Sequence, residues 1–265
     1  MDIIRFQVDS LQVEVHRDNE SSGAAAAAAA ARALHELDQD REAIGVIFAT
    51  GASQLDTLRA LVALGGGIPW NKIVGFHLDE YVGIDRDHPA SFRKYLRENL
   101  TTHVNMRAFF EIDGNAADLD ALCRAYTERL RAAEPQLCLL GIGENGHLAF
   151  NDPGEADFRD PKEMKVVRLD SACRQQQAAE GWFHIVEEVP DRALTLTIPA
   201  LFRIPRLIVS VPGERKAQIV RRTLQEPISE HCPATILRTH PNARLFLDAE
   251  SATELNLNDL VLSAR

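Results

Sequence analysis

The strongest constraint on the fold begins at Ile44, where short apolar runs recur with amphipathic stretches between them. That rhythm is expected of strands alternating with helices around a mostly parallel sheet. Strands are predicted over 44–49, 73–78, 137–140, 193–197, 207–211 and 245–247, and helices over 53–64, 89–99, 119–133 and 215–223. No Pro-, Gly- or Ser-rich linker interrupts the series, so residues 1–265 are expected to form a single domain. In open sheets of this kind ligands collect outside the carboxyl ends of the strands, which is where chemistry should be sought.

Upstream, residues 11–15 alternate with period two and predict a half-exposed edge strand. The eight alanines from Ala24 to Ala31 follow Ser21, Ser22 and Gly23. Alanine is the best helix former, so this stretch predicts a first helix with Ser22 as its cap and a small-residue face lying close on the sheet.

With 45% apolar and 26% charged residues, the chain has the composition of a soluble globular protein. The formal net charge of −10 would repel a polyphosphate backbone or an anionic leaflet, which excludes nucleic acid and membrane as partners. It counts at first sight against an anionic small substrate as well. The four cysteines, at 123, 138, 173 and 232, lack C-x-x-C spacing and predict buried reduced thiols. No basic segment leads into an apolar run at the start, and a cytoplasmic protein is expected.

Three strand ends carry chemistry-bearing residues. In the first, the run ending at Ala49 meets Thr50, Gly51, Ala52 and Ser53 before a helix of Leu55, Leu58 and Leu61. Such a turn offers free N–H groups, hydroxyls and the positive end of a helix dipole, which suit a phosphate. The alternative is a plain turn in which Ser53 caps the helix. In the second, Asp79 and Glu80 end an apolar strand. Adjacent strand residues point to opposite faces, so one carboxylate is expected to be chemical and the other structural. A carboxylate in a partly apolar pocket would have its pKa raised and could serve as a general base; alternatively Asp79 caps the following turn. The third runs from Gly141 through Asn145 and His147 to Asp152, with glycines that permit close backbone approach. There Asn145 and Asp152 could orient His147. A dinucleotide site is disfavoured, because no strand-borne acid follows at the required distance.

Taken in order, A-T-G-A-S, H-L-D-E-Y-V-G and G-I-G-E-N-G-H-L-A-F-N-D-P closely resemble the glucosamine-6-phosphate deaminase (isomerase) family. The resemblance extends into residues 210–217 and 234–241, and so covers about 44–247. It implies an α/β fold, a three-layer sandwich with a central mostly parallel sheet and helices on both faces. It also implies conversion of an amino-sugar 6-phosphate to a ketose 6-phosphate and ammonia, by a hydrolase or isomerase that needs no organic cofactor and no metal. By the same resemblance His147 opens the sugar ring and Asp79 moves the proton between C2 and C1. The resemblance gives Gly51, Ala52, Ser53 and Lys216 to the phosphate, with Arg174 as a further candidate, and the turn read above adds the Thr50 hydroxyl.

Two departures stand out. The family often has Asp where Asn145 stands and Glu where Asp152 stands. Asn can orient an imidazole but offers no negative charge to its protonated form, and the shorter Asp152 requires a closer turn or a bridging water. Galactosamine-6-phosphate is therefore an alternative substrate to glucosamine-6-phosphate. A 6-phosphogluconolactonase is disfavoured by Leu148, Ala149, Phe150 and Asn151, and a non-catalytic sugar-phosphate sensor by the retention of Asp79 and His147. The expected partner is a small amino-sugar phosphate, a homo-oligomer is admissible, and the short stretch after Asp248 leaves little room for an allosteric segment. An anionic substrate further requires a locally positive end to the cleft.

Overall fold

The computed structural model describes residues 3–179, 181–257 and 259–260; the rest of the expected 1–265 domain lies outside the described residues. The chain begins with β1 (Ile4–Val8) and β2 (Leu11–His16), followed by the long helix α1 (Asn19–Asp38) and β3 (Ile44–Phe48). Next come α2 (Leu55–Ala63), β4 (Ile73–His77), β5 (Asp79–Tyr81), α3 (Phe92–Leu96), β6 (Ala108–Phe110), α4 (Leu119–Ala133) and β7 (Leu137–Leu140). The second half holds β8 (Met164–Arg168), α5 (Ser171–Ala179), β9 (Arg192–Leu196), α6 (Ile198–Phe202), β10 (Leu207–Val211), α7 (Ala217–Gln225) and β11 (Ala243–Asp248).

Eight strands form the main sheet in the order β1-β2-β11-β10-β7-β3-β4-β6. Every pairing is parallel except β1 with β2. Strand alternation sorts the core into two layers. Ile44, Val46 and Phe48 of β3 face the alanines of α1 with Leu58 and Leu61 of α2, while Ile47 and Ala49 face Tyr126 and Leu130 of α4 and Ile219 and Val220 of α7. Helices thus cover both faces, as the three-layer expectation has it.

Several expectations need correction. Residues 11–15 do not lie at the edge: β2 is covered on one side by β1 and on the other by β11, and four of its six residues in a row are buried. Ser22 does not cap the first helix but lies buried within it. Asp18 is the cap, accepting from the Ser21 N–H at 2.9 Å, while the Ser21 hydroxyl accepts from the Asp18 N–H; this reciprocal box starts the helix earlier. The 193–197 strand belongs to a second, antiparallel sheet of order β5-β9-β8. An apolar run records that a strand is buried, not which neighbour it pairs with. The helix expected over 89–99 is the short α3, capped by Ser91 and continued by a π-helical turn at Arg97–Thr101.

Candidate active site

The carboxyl ends of β3, β7 and β10 and the start of β5 converge on one cavity of about 390 Å³. Its floor at one end is made by two turns of the same construction. After β3, Gly51 takes φ 95° and ψ 168°, Ala52–Gln54 form a 3-10 turn closed by Gln54 N–H to Gly51 C=O at 3.0 Å, and α2 follows. After β10, Gly213 takes φ 92° and ψ 149°, Glu214–Lys216 form a 3-10 turn closed by Lys216 N–H to Gly213 C=O at 3.0 Å, and α7 follows. No side chain crowds the Cβ position of Gly51, so its requirement is conformational: a positive φ that L-residues rarely adopt. Ser53 does not cap a helix, because neither the 3-10 turn nor α2 has a side-chain cap. Its hydroxyl instead accepts from the buried amide of Gln54 at 3.1 Å. Tyr95 braces the loop from outside by donating to Gly51 C=O at 2.8 Å.

Thr50, Gly51, Ala52, Ser53 and Lys216 all line the cavity. Lys216 is mostly buried and donates to Ile142 C=O at 2.9 Å, which aims its ammonium along the β7 loop. Arg174 is not brought to this cavity. Its guanidinium donates to Val189 C=O at 3.1 Å and Val186 C=O at 2.9 Å, tying α5 to the following loop. The positive end of the cleft is also thinner than expected, since Arg215 is paired with Glu144 at 2.8 Å and Glu214 and Glu250 share the lining.

Of the two sequence-adjacent carboxylates, Asp79 is the one that lines this cavity. β5 pairs Asp79 with Thr195 and Glu80 with Leu194, so the chain stays extended through both and the two side chains diverge. Asp79 does not cap a turn. It lines the cavity beside Leu78 and Phe150, and burial, with the charge of Glu80 adding to it, holds its pKa well above the ordinary carboxylate value. Glu80 turns away into a nest of donors: Ser91 hydroxyl at 2.9 Å, the N–H groups of Phe92 and Arg93 at 3.1 Å each, and Arg93 Nε at 3.2 Å.

The β7 loop brings His147, Asn145 and Asp152 together. The His147 ring lies so close over Gly143 that a Cβ there would meet ring atoms at 2.2–2.4 Å, and this close approach explains the glycine. His147 Nδ1 is 2.8 Å from Asp152 Oδ1, so the shorter acid reaches the ring directly and no bridging water is required. The two atoms are close without the alignment of a good hydrogen bond. Asn145 orients the loop rather than the ring. Its Oδ1 accepts from the His147 backbone N–H at 3.0 Å, and its amide donates to Asp152 Oδ1 at 3.0 Å and Asp170 Oδ2 at 3.3 Å. Burial pushes the Asp152 carboxyl up, but the His147 contact, the Asn145 amide and the Asp170 N–H outweigh it and hold its pKa below the ordinary value.

A sequence profile of the family described as glucosamine-6-phosphate isomerases/6-phosphogluconolactonase matches residues 17–246. The chain belongs to this family. Among curated relatives, the glucosamine-6-phosphate deaminase of Arthrobacter sp. (strain FB24) is 33% identical over 80% of this chain and 81% of its own. That of Thermoanaerobacter pseudethanolicus is 30% identical over 80% of this chain and 84% of its own. A solved monomeric glucosamine-6-phosphate deaminase superposes with a TM-score of 0.83 at 31% identity, covering 92% of this chain and 99% of that one. Being monomeric, it lends no support to a homo-oligomer. The 6-phosphogluconolactonase of Trypanosoma brucei shares the fold, with a TM-score of 0.74 at 19% identity over 94% of this chain and 99% of its own. No helix among the described residues is long and apolar enough to cross a membrane.

Family motifs do not point to every residue of the site. Helix α5 puts Gln176 and Gln177 into the cavity wall, with Gln176 Oε1 accepting from Glu144 N–H at 2.9 Å and Gln177 Oε1 from the Tyr81 hydroxyl at 2.7 Å. Phe92, from the start of α3, adds an apolar surface. Asp170, which receives the Cys173 N–H at 2.6 Å, links α5 to the histidine loop. The acid at Asp170 is visible in the sequence, but only the fold brings it to Asn145. Cys173 is buried, as expected of the four cysteines, yet its sulfur, His147 and Asp152 offer metal-ligating atoms within 4.8 Å of one another.

Proposed function

We propose that the chain converts an amino-sugar 6-phosphate, glucosamine-6-phosphate first, into fructose 6-phosphate and ammonia. The observation that carries this reading is that a pKa-raised Asp79, which no donor among the described residues engages, and an acid-backed His147 line one cavity together with the glycine turns and Lys216. An anion held by the N–H groups after Gly51 and by Lys216 would orient a sugar away from the bonds that change.

His147, supported by Asp152, would deliver a proton to the ring oxygen as the anomeric hydroxyl loses one, which opens the ring. Asp79 would then remove the C2 proton. The electron pair moves into a C1–C2 enol, and return of the proton at C1 leaves a C2 imine; water adds to that carbon and ammonia departs. Asp79 suits the carbon-acid step because burial raises its basicity above that of a solvated carboxylate. None of these steps needs a metal or an organic cofactor.

The test is ammonia release from glucosamine-6-phosphate and galactosamine-6-phosphate, measured beside hydrolysis of 6-phosphogluconolactone. Ammonia from the glucosamine ester is expected to dominate. Preference for the galactosamine ester would change the epimer and keep the reaction class, whereas lactone hydrolysis without ammonia would sink the proposal.

A further inference from the structure

Beside the proton-transfer machinery, the described residues hold one cluster that the reaction does not use in full. His147, Asp152 and Cys173 are all buried, and their Nδ1 or Nε2, carboxylate and Sγ atoms lie within 4.8 Å of one another. His147 Nδ1 is enclosed, close to Asp152 Oδ1 and yet without an aligned hydrogen bond. Sulfur, imidazole nitrogen and carboxylate oxygen together make a donor set for a zinc-class cation; magnesium or calcium would take oxygen alone.

We propose that this His147–Asp152–Cys173 cluster is an inhibitory binding site for a divalent cation of the zinc class. Zinc bonds of 2.0–2.3 Å place tetrahedral ligands roughly 3.3–3.8 Å apart, so separations of up to 4.8 Å must close by about 1 Å while the 2.8 Å contact of His147 Nδ1 with Asp152 Oδ1 opens slightly. Cys173 sits near the start of α5, whose cap Asp170 is bonded to the histidine loop through Asn145, so helix and loop are already joined at that point. The cation enters from the cavity, which His147 lines. As the sulfur–metal bond forms, the thiol proton leaves to solvent, and the fourth coordination position is left to water.

The inhibitory consequence rests on the proposed deaminase reading; the binding does not. A cation on one ring nitrogen withdraws electron density from the other and takes Asp152 away from the imidazole. The ring then no longer cycles a proton to the sugar oxygen. The Cys173 sulfur lies within 4.8 Å of Asp152, and the cavity lining does not include it, so its thiol takes no part in the proposed turnover.

Zinc and cobalt binding is to be measured on the substrate-free protein, by calorimetry and by absorption. One zinc per chain and a near-ultraviolet thiolate-to-cobalt charge-transfer band are expected. Cys173→Ser should keep deaminase activity in chelator, lose the band, and weaken zinc binding by more than about 100-fold, beyond the cost of losing a supporting hydrogen bond. Excess magnesium should leave zinc binding unchanged. Absence of the cobalt band in the wild-type protein overturns the site without any variant, as does equal zinc affinity in Cys173→Ser. Zinc that binds with the band but leaves ammonia release unaffected overturns the inhibitory role. A protein that binds zinc yet releases no ammonia in chelator defeats the deaminase reading and leaves the metal site standing.

Discussion

Asp79 lines the cavity and Asp152 lies behind the His147 that lines it; both are removed from solvent, yet their surroundings drive them in opposite directions. Asp79 is 6% exposed and, among the described residues, no donor engages its carboxylate. Asp152 is fully buried and is met by an imidazole, an amide and a backbone N–H. Burial raises a carboxyl pKa, as at Asp79 with the Glu80 charge adding to it; enough donors reverse it, as at Asp152. In the proposed reaction the difference separates a base that is kept reactive from an anion that is kept charged to hold another group in place.

The sharpest way to break this comparison is Asp79→Asn. Ammonia release should fall by about 10³-fold, within the range a general base contributes, while KM stays close to wild type. A variant with full activity would remove Asp79 from the chemistry. The same substitution should raise thermal stability at neutral pH. With its folded pKa above the unfolded one, Asp79 binds more protons in the native state, so the wild-type protein loses stability as pH rises through that interval. The uncharged amide of the variant does not titrate and carries no such penalty, and a melting temperature that drops in the variant across this interval would contradict the sign.

The pH profile follows from the same shift. Because Asp79 must be ionised to act, kcat/KM should decline as pH falls through its raised pKa, at a pH well above the ordinary carboxylate range. An acid limb at the usual aspartate position would contradict the assignment. Asp152→Asn should cost less, about 10²-fold in kcat, because the ring-opening step is slowed while the base remains. It should also lower stability by about 1–3 kcal/mol, since it leaves buried donors facing an amide. Loss of stability with unchanged kcat would make Asp152 purely structural. The smallest effect is expected at Asn145→Ala, which loosens Asp152 and the His147 backbone together: about 1 kcal/mol per lost hydrogen bond, read by chemical unfolding, with a few-fold loss in kcat. If kcat fell as far as in Asp152→Asn, the amide would matter to the imidazole more than its contacts suggest.

Much of this contrast is legible in the sequence. The apolar runs before Gly51, Asp79 and Gly141 mark strand ends, and adjacency alone requires Asp79 and Glu80 to diverge, as they do. What is not legible is pairing across distance. Residues 193–197 have the pattern of any buried strand, and only the fold shows them crossing into a second sheet that supports Asp79. The Met164–Arg168 strand escapes the apolar pattern because it is half polar, with exposed or partly exposed positions among its five. The family resemblance offers Arg174 for the phosphate, while α5 turns it to backbone carbonyls and turns Gln176 and Gln177 inward instead. Helix facing is weakly encoded in a segment so polar.

The twin glycine turns have one further consequence. In the main sheet β10 and β3 flank β7, so the two turns stand on either side of the strand whose loop carries His147. In the proposed reaction, grip and reactivity therefore sit on separate strands. Substitutions after β7 can change what is done to a ligand while β3 and β10 go on holding its charged tail, and a single scaffold of this build can pass from one reaction to another without first learning a new handle.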